Sequence, residues 1–163
     1  MGLGAIDLAI NMDKRPGRLV VTDIDRDKIE HAKKVLPPDK AKANGVELIY
    51  VNTGEVKNAR EHLLNMTDGA GFDDIFILAP VSQVVEQADA IAGKDCCMNF
   101  FSGPTDKGFS AKVNFYDVHY SAKHILGTSG GDTDDMRTAL RLAEKGGINP
   151  AVMVSHKIGR AHV

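Results

Sequence analysis

The sequence has no tryptophan, few aromatic residues (6%) and only two cysteines. Because Cys96 and Cys97 are adjacent, they cannot build a disulfide framework, and their scarcity favours a reducing compartment. No apolar run approaches the ~20 residues of a membrane span, and no basic stretch followed by an apolar core begins the chain. We therefore expect a cytoplasmic protein without a membrane partner.

Neither sign of charge dominates the sequence. The chain has 20 Lys and Arg residues against 22 Asp and Glu residues, a formal net charge of −2. This balance gives no electrostatic footprint for nucleic acid, so we expect no nucleic-acid partner. With 163 residues, 43% of them hydrophobic and 26% charged, the chain is long enough for one globular domain.

A glycine-rich turn is also missing, at the place where one would complete a nucleotide-binding unit. Gly2 opens an apolar-periodic segment, and the β-branched run at 18–23 ends in Asp23, 21 residues after Gly2. Such a glycine lets a helix N-terminus approach a pyrophosphate, and such an acid accepts hydrogen bonds from a ribose diol. The strand and the earlier glycines of G-x-G-x-x-G that should precede Gly2 are absent. We therefore expect a Rossmann-type unit whose sequence starts within its glycine-rich motif.

The order of the remaining elements predicts the fold class. Apolar residues recur at helical spacing in five segments, which alternate with short apolar or β-branched runs. Strands separated by helix-length segments indicate βαβ crossovers, so we predict an α/β fold with a Rossmann-type doubly wound parallel sheet that lacks its first strand. In a complete Rossmann fold the strands lie side by side in the order 3-2-1-4-5-6, so the missing first strand would lie between the strands at 18–23 and 74–79. The predicted strands are 18–23, 46–51, 75–78, 96–101, 112–116, 124–128 and 152–154, and the predicted helices begin near residues 2, 25, 56, 81 and 132.

Two of these elements carry more specific predictions. The continuous apolar run at 75–78 is typical of a central parallel strand that is buried on both faces. Asp25 should cap the second helix, whose buried side should carry Ile29, Ala32 and Leu36.

Several phrases of the sequence resemble one family. The segment at 22–28 (Thr-Asp-Ile-Asp-Arg-Asp-Lys), followed by Ala32-Lys33, resembles the cofactor domain of medium-chain zinc-type alcohol and polyol dehydrogenases. Further matches lie at 78–81, 99–104 and 127–131, where that family has strand ends, and at 114–120 and 148–154, which most resemble the branch of L-sorbose-1-phosphate reductases.

The resemblance also predicts the domain boundaries. It spans roughly residues 1–156, which we expect to form an NAD-binding Rossmann domain that is incomplete at both ends. Residues 157–163 are interpreted as a non-native tail, because Ile-Gly-Arg-Ala-His-Val is what one frame of a short-read sequencing adapter would encode.

The resemblance implies NAD as the cofactor and assigns its contacts. Asp23 would hold the adenosine ribose, and its charge would repel the extra phosphate of NADP. The strand ends would converge on one crevice, as expected for open α/β sheets. The implied binding residues are Met1 and Gly2 at the pyrophosphate, Asp23 and Lys28 at the adenosine ribose, Ala79 and Pro80 beside the adenosine, and Phe101, Ser102 and Gly103 around the nicotinamide ribose and carboxamide.

The same resemblance implies the reaction. Family members transfer hydride between an alcohol and the nicotinamide, and a zinc ion held by Cys, His and Glu ligands, mainly in an N-terminal domain, polarises the alcohol oxygen. We therefore expect this chain to be the NAD(H)-binding part of an oxidoreductase acting on a small alcohol, polyol or sugar phosphate and its ketone. The zinc ligands and catalytic residues of the parent would lie upstream of this chain. A non-catalytic NAD-sensing module and a Rossmann-like methyltransferase remain as alternatives.

The metal-ligating residues that are present have simpler interpretations. Cys96 and Cys97 lack C-x-x-C spacing and, as neighbours on a strand, point to opposite faces, so we predict buried structural roles for both. His119 and His124 flank a turn but have no carboxylate or cysteine cluster around them, so a metal site is not predicted.

Two motifs near residue 130 each allow two interpretations. Asp132, Asp134 and Asp135 could bind calcium, but their position at a helix start is explained by capping and by the helix dipole. The turn at 128–131 could bind phosphate, although it matches a family strand end rather than a P-loop, which favours a flexible turn.

The segment at 112–116 predicts an interface. Alternation places Val113 and Phe115 on one face of a strand and Asn114 and Tyr116 on the other. Such a strand at a sheet edge would pair with a second copy of the chain, and dimers of the family join in this region. The other interpretation is that the strand covers the core of its own domain.

Overall fold

The computed structural model describes residues 2–154, so Met1 and the predicted tail at 157–163 lie outside the described residues. The chain divides into two compact units. Unit 1 is formed by the residues up to Glu55 together with those from Gly131 onward, and unit 2 is the continuous segment Val56–Gly130. None of the helices between residues 2 and 154 combines the length and the apolar character needed to cross a bilayer.

Helices and strands alternate along most of the chain. The helices are α1 (Gly2–Asn11), α2 (Arg26–Val35), α3 (Pro38–Ala43), α4 (Ala59–Asn65), α5 (Ser82–Ile91), α6 (Phe115–Tyr120) and α7 (Thr133–Glu144), and a 3-10 helix follows at Pro150–Met153. The strands are β1 (Arg18–Asp23), β2 (Glu47–Asn52), β3 (Phe72–Ile77), β4 (Ala92–Phe100) and β5 (His124–Gly127).

All strand pairings are parallel, and they form one sheet in each unit. In unit 1, β1 pairs with β2 from Arg18↔Glu47 to Asp23↔Asn52. In unit 2, the strand order is β3-β4-β5. The predicted α/β class with parallel strands is confirmed. Within the described residues, β1 and β3 each have a partner strand on one side only.

The core of unit 1 lies between its two strands and their helices. Asp25 caps α2 as predicted, because its carboxylate accepts the N–H groups of Asp27 and Lys28. The predicted burial on α2 is also confirmed, with Ile29, Ala32 and Leu36 all in the core. The largest cluster of buried apolar residues comprises Ile6, Ile10, Leu36, Ala41, Val46 and Leu48.

A buried charge holds three parts of unit 1 together, and the sequence did not predict it. The Asp7 side chain on α1 is fully buried and lies 3.1 Å from the Lys40 ammonium on α3. Its second oxygen accepts the backbone N–H of Asn149 at 2.5 Å, just before the 3-10 helix. Because a buried carboxylate must be paired, these two partners fix where α3 and the 149–153 segment pack on α1.

One face of the sheet in unit 2 packs against α5, and Phe76 on the other face is exposed. Ile77, Cys96 and Met98 are buried against α5, with Ala88 between them. The prediction that 75–78 is buried on both faces is wrong, because Phe76 on the opposite face is 64% exposed.

Three other boundary predictions are wrong because side chains cap helices there. The predicted strand at 112–116 is a loop followed by α6, since Asn114 accepts the N–H of Tyr116 and donates its own N–H to Asp89. Because this segment forms no strand, the pairing predicted for it with a second copy of the chain is not possible. Asn149 likewise caps a 3-10 helix where a strand at 152–154 was predicted. The third predicted helix begins at Ala59 rather than near Val56, because Asn58 caps it.

Candidate cofactor site

Asp23 lies at the carboxyl end of β1, the end at which open parallel sheets bind ligands. Its side chain is half-buried, and Oδ1 accepts the backbone N–H of Asp25 at 2.9 Å. That bond fixes the carboxylate at the mouth of the turn between β1 and α2. Among the described residues, Oδ2 accepts no further hydrogen bond, so one oxygen remains available to a ligand.

The turn after β2 packs directly against the turn after β1. The backbone N–H of Thr53 donates to the carbonyl of Asp23 at 3.0 Å, which extends the strand ladder by one residue. Asn52 accepts the N–H of Gly54 at 2.9 Å and closes the second turn. A Cβ at Gly54 would lie only 3.3 Å from the carbonyl oxygen of Ile24, a tighter contact than most Cβ atoms make, so glycine suits this close approach.

Arg26 and Lys28, which follow Asp23 in the sequence, each lie near a carboxylate. The Arg26 guanidinium contacts Oε1 of Glu55 through Nε and Nη2, each at 2.6 Å. The hydrogen bond and the charge of Glu55 raise the pKa of Arg26 above its usual value. The Lys28 ammonium, predicted to lie near the adenosine ribose, is 3.9 Å from Asp25 and is mostly exposed. The sequence predicted Asp23 and Lys28 but missed Arg26 and Glu55, whose pairing depends on the register of two strands.

Gly2 is the first residue of α1, as the fingerprint requires. The predicted pyrophosphate contact of Met1 lies outside the described residues. The role assigned to Gly2 therefore stays a prediction that rests on its place at the helix start.

The predicted residues of unit 2 follow the carboxyl ends of β3 and β4. The N–H of Phe101 and the hydroxyl of Ser102 both donate to the carbonyl of Ile77, at 3.0 and 3.1 Å. Ser102 is thus buried and used within the sheet, whereas a Cβ at Gly103 would meet no atom within 4 Å. The two residues after β3, Ala79 and Pro80, are half-buried and exposed respectively.

A separate cavity of about 380 Å³ lies at the opposite, amino-terminal end of the strands in unit 2. It borders Gly71 before β3 and Ala92 at the start of β4, and its most buried charged residues are Lys123 and Asp89. The Lys123 ammonium donates to the backbone carbonyl and to Oδ1 of Asp89, at 2.9 and 3.1 Å. None of the predicted cofactor residues lines this cavity, and the paired charges indicate a structural role.

The described residues do not assemble a zinc site. Between residues 2 and 154, no group of three His, Cys, Asp or Glu side chains could hold a metal ion. Cys96 is buried as predicted, and burial raises the pKa of its thiol to about 11, so it is not a thiolate at neutral pH. Cys97 is only half-buried. The His124 ring lies 3.0 Å from Asp95, and the His119 ring packs edge-on against Tyr120.

The aspartates near residue 130 cap a helix, whereas the flexible turn expected at 128–131 stays a prediction. Asp132 accepts the N–H groups of Asp134 and Asp135, and Asp135 accepts the N–H of Asp132, which together form a capping box at the start of α7. The capping interpretation is therefore confirmed. In the preceding turn, the Thr128 hydroxyl donates to the Asn99 side chain at 3.1 Å.

Comparisons with known proteins agree with this architecture. The family model described as zinc-binding dehydrogenase matches residues 1–145. The chain is 53% identical over 156 residues to mannitol-1-phosphate 5-dehydrogenase of Aliivibrio fischeri, covering 96% of this chain. It is 43% identical over 159 residues to L-sorbose 1-phosphate reductase of Klebsiella pneumoniae, covering 98% of this chain. In both cases it spans only 37% of the length of the relative.

A solved structure shows the same fold at lower sequence identity. The crystal structure of an alcohol dehydrogenase from Escherichia coli CFT073 in complex with NADH superposes with a TM-score of 0.68 at 14% identity. The superposition covers 93% of this chain and 40% of that one. With its parallel strands, its acid at the end of β1 and a family match over residues 1–145, the chain belongs to the zinc-binding dehydrogenase family.

Proposed function

We propose that the chain is the NAD(H)-binding part of a zinc-dependent oxidoreductase that interconverts an alcohol or polyol and its ketone by hydride transfer. The observation that carries this proposal is Asp23, whose carboxylate is fixed at the carboxyl end of β1 with one oxygen available. A ribose diol presents two hydroxyl donors, and a carboxylate in this position accepts them. Family membership supports the redox chemistry.

A sugar phosphate or polyol phosphate is the proposed substrate class. Both relatives described above are named for a six-carbon 1-phosphate, mannitol 1-phosphate in one case and L-sorbose 1-phosphate in the other. Residues 2–154 bring no three metal-ligating side chains together, so in this proposal another part of the protein holds the zinc. The role of this chain is to bind and orient the cofactor.

Each unit has its own part in the proposed cofactor contacts. In unit 1, the start of α1 faces the pyrophosphate, while Asp23 and Lys28 take the adenosine ribose. The unit 2 residues that follow β3 and β4 contact the adenosine and the nicotinamide ribose with its carboxamide; they are Ala79, Pro80, Phe101 and Gly103. The hydroxyl of Ser102, which lies between Phe101 and Gly103, is already bound to the Ile77 carbonyl, so Ser102 supports the turn rather than the ligand. A carboxylate at position 23 repels the 2′-phosphate of NADP, so NAD is the proposed cofactor.

Replacing Asp23 with Ser tests the proposal. Charge-assisted hydrogen bonds contribute about 1.5–3 kcal/mol each, so we expect NAD⁺ affinity to fall by about 10- to 100-fold. We expect the preference for NAD⁺ over NADP⁺ to narrow at the same time, because the repulsion of the 2′-phosphate is lost. Isothermal titration calorimetry of the full chain with each cofactor measures both effects.

Asp27→Ser is the matched control. It removes the same charge from the same turn, at an exposed position on the first turn of α2. It should leave both affinities near those of the parent. If Asp23→Ser binds both cofactors as the parent does, Asp23 is not in the cofactor site and the proposal loses its main support.

A further inference from the structure

Two exposed Arg–Glu ion pairs lie at the two ends of the β1–β2 pair in unit 1. At the amino ends, the Arg18 guanidinium lies 2.6 Å from Glu47. At the carboxyl ends, the Arg26 guanidinium lies 2.6 Å from Glu55. Both pairs are exposed, so neither contributes much to the free energy of folding. The second pair differs from the first in its location, since it lies beside Asp23 and therefore beside the proposed ribose site.

The position of Glu55 is set by the backbone rather than by chance contact of two long side chains. The turn after β2 is held to β1 by the hydrogen bond from Thr53 to Asp23. Gly54 then passes close to the Ile24 carbonyl, where a Cβ would be crowded. The N–H of Glu55 donates to the carbonyl of Asn52 at 3.2 Å, which closes the turn and directs Glu55 toward the start of α2.

Arg26 lies where a cation could bind the 2′-phosphate of NADP. It lies three residues after Asp23, at the first residue of α2, and its side chain is 72% exposed. In dinucleotide-binding folds, an arginine near the acid that binds the adenosine ribose accommodates the 2′-phosphate of NADP, and Asp23 is that acid in the proposed site. A guanidinium is well suited to this task because it can donate two parallel hydrogen bonds to a phosphate. In this structure, Nε and one Nη of Arg26 already donate to Glu55.

We propose that Glu55 is a second specificity-determining residue, which excludes NADP by keeping Arg26 bound. Glu55 acts in two ways. It occupies the donors of Arg26 that a 2′-phosphate would need, and its own charge adds to the repulsion from Asp23. This inference rests on the proposed function, because it assumes that the adenosine ribose lies at Asp23. It adds a residue that neither the fingerprint nor the match to the family identifies.

Glu55→Gln tests the inference by removing the charge of Glu55 while keeping its size. We expect the Kd for NADP⁺ to fall by about five- to tenfold, because Arg26 becomes able to bind the 2′-phosphate. The Kd for NAD⁺ should change by less than about twofold, because NAD⁺ has no phosphate there. Adding Arg26→Gln to this variant should abolish the gain in NADP⁺ affinity. Calorimetric titration of the full chain with NAD⁺ and NADP⁺ gives both constants.

Glu47→Gln is the matched control, since it removes the same charge from the equivalent pair at the other end of the same strands. It should leave both constants near those of the parent. The inference is overturned if Glu55→Gln leaves NADP⁺ affinity unchanged while the parent binds NAD⁺, or if Glu47→Gln produces the same gain. A parent chain that binds neither cofactor, or an Asp23→Ser variant with unaltered binding, overturns the proposed function and this inference with it.

Discussion

The buried ion pair of unit 2 should be the most sensitive polar contact in that unit. The side chains of Lys123 and Asp89 are only 4% and 10% exposed. In Lys123→Met, a side chain of similar length replaces the ammonium, so the change removes a charge with little loss of volume. Among the described residues, the Asp89 carboxylate then keeps only the backbone N–H of Asn114 as a partner, at 2.9 Å.

The expected magnitude follows from that uncompensated charge. Removing one partner of a buried ion pair costs about 3–5 kcal/mol, and we expect a value near the lower end. The adjoining cavity lets water reach Asp89, which reduces the penalty. A whole domain has a free energy of unfolding of about 5–15 kcal/mol, so the loss should be large.

Urea-induced unfolding followed by far-UV circular dichroism measures this loss as a lower midpoint. Lys33→Met is the matched control, because Lys33 pairs with Glu30 at 2.7 Å in an exposed i,i+3 contact. That pair should contribute at most about 1 kcal/mol. The double variant Lys123→Met/Asp89→Asn leaves no buried charge unpaired, because Asp117, the other carboxylate near Lys123, is 43% exposed, and it should recover part of the loss. If Lys123→Met unfolds at the same urea concentration as Lys33→Met, the buried pair does not stabilise unit 2 and the reasoning is wrong.

Two further predictions concern groups whose pKa is raised by burial. Burial raises the pKa of the Tyr50 hydroxyl from 10.0 to about 12, so the stability that Tyr50 contributes should be complete below pH 10 and lost as the pH rises toward 12. Tyr50→Phe removes the 2.8 Å hydrogen bond to the Leu36 carbonyl, so it should lower the free energy of unfolding by about 1 kcal/mol at pH 7. It should also make the urea midpoint of unfolding depend less on pH in the alkaline range, and an unchanged dependence would contradict this. Burial likewise raises the pKa of the Cys96 thiol to about 11, so iodoacetamide at pH 8 should label Cys97 well before Cys96 in the native chain, as peptide mass spectrometry can show, whereas equal labelling would mean that Cys96 is accessible.

Local chemistry made much of the fold predictable from the sequence. The β-branched run ending in Asp23 is a strand over the predicted residues. Asp25 and Asp132 cap helices because a carboxylate satisfies free N–H groups within three residues along the chain. These features depend on neighbours in the sequence, so composition and spacing were sufficient to identify them.

Interactions between distant residues were not predictable in the same way. Alternation at 112–116 indicated a strand, but Asp89 on α5 binds the backbone of Asn114 and Glu86 binds that of Lys112, so the segment leads into a helix instead. Alternation of apolar and polar residues cannot reveal that carboxylates 25 or 26 residues away accept the backbone N–H groups of this segment. The pairing of Glu55 with Arg26 was missed for the same reason, although the strand ends on which it depends were predicted.

The bond between Asp7 and Asn149 has a consequence for how the chain is made. Its two ends are 142 residues apart, whereas unit 2 is one continuous segment between them. During synthesis from the amino terminus, every residue of unit 2 emerges before Asn149 does. The Asp7 carboxylate therefore lacks this partner until the ribosome has passed residue 149, and unit 1, although it starts before unit 2, completes its contacts only after all of unit 2 has been made.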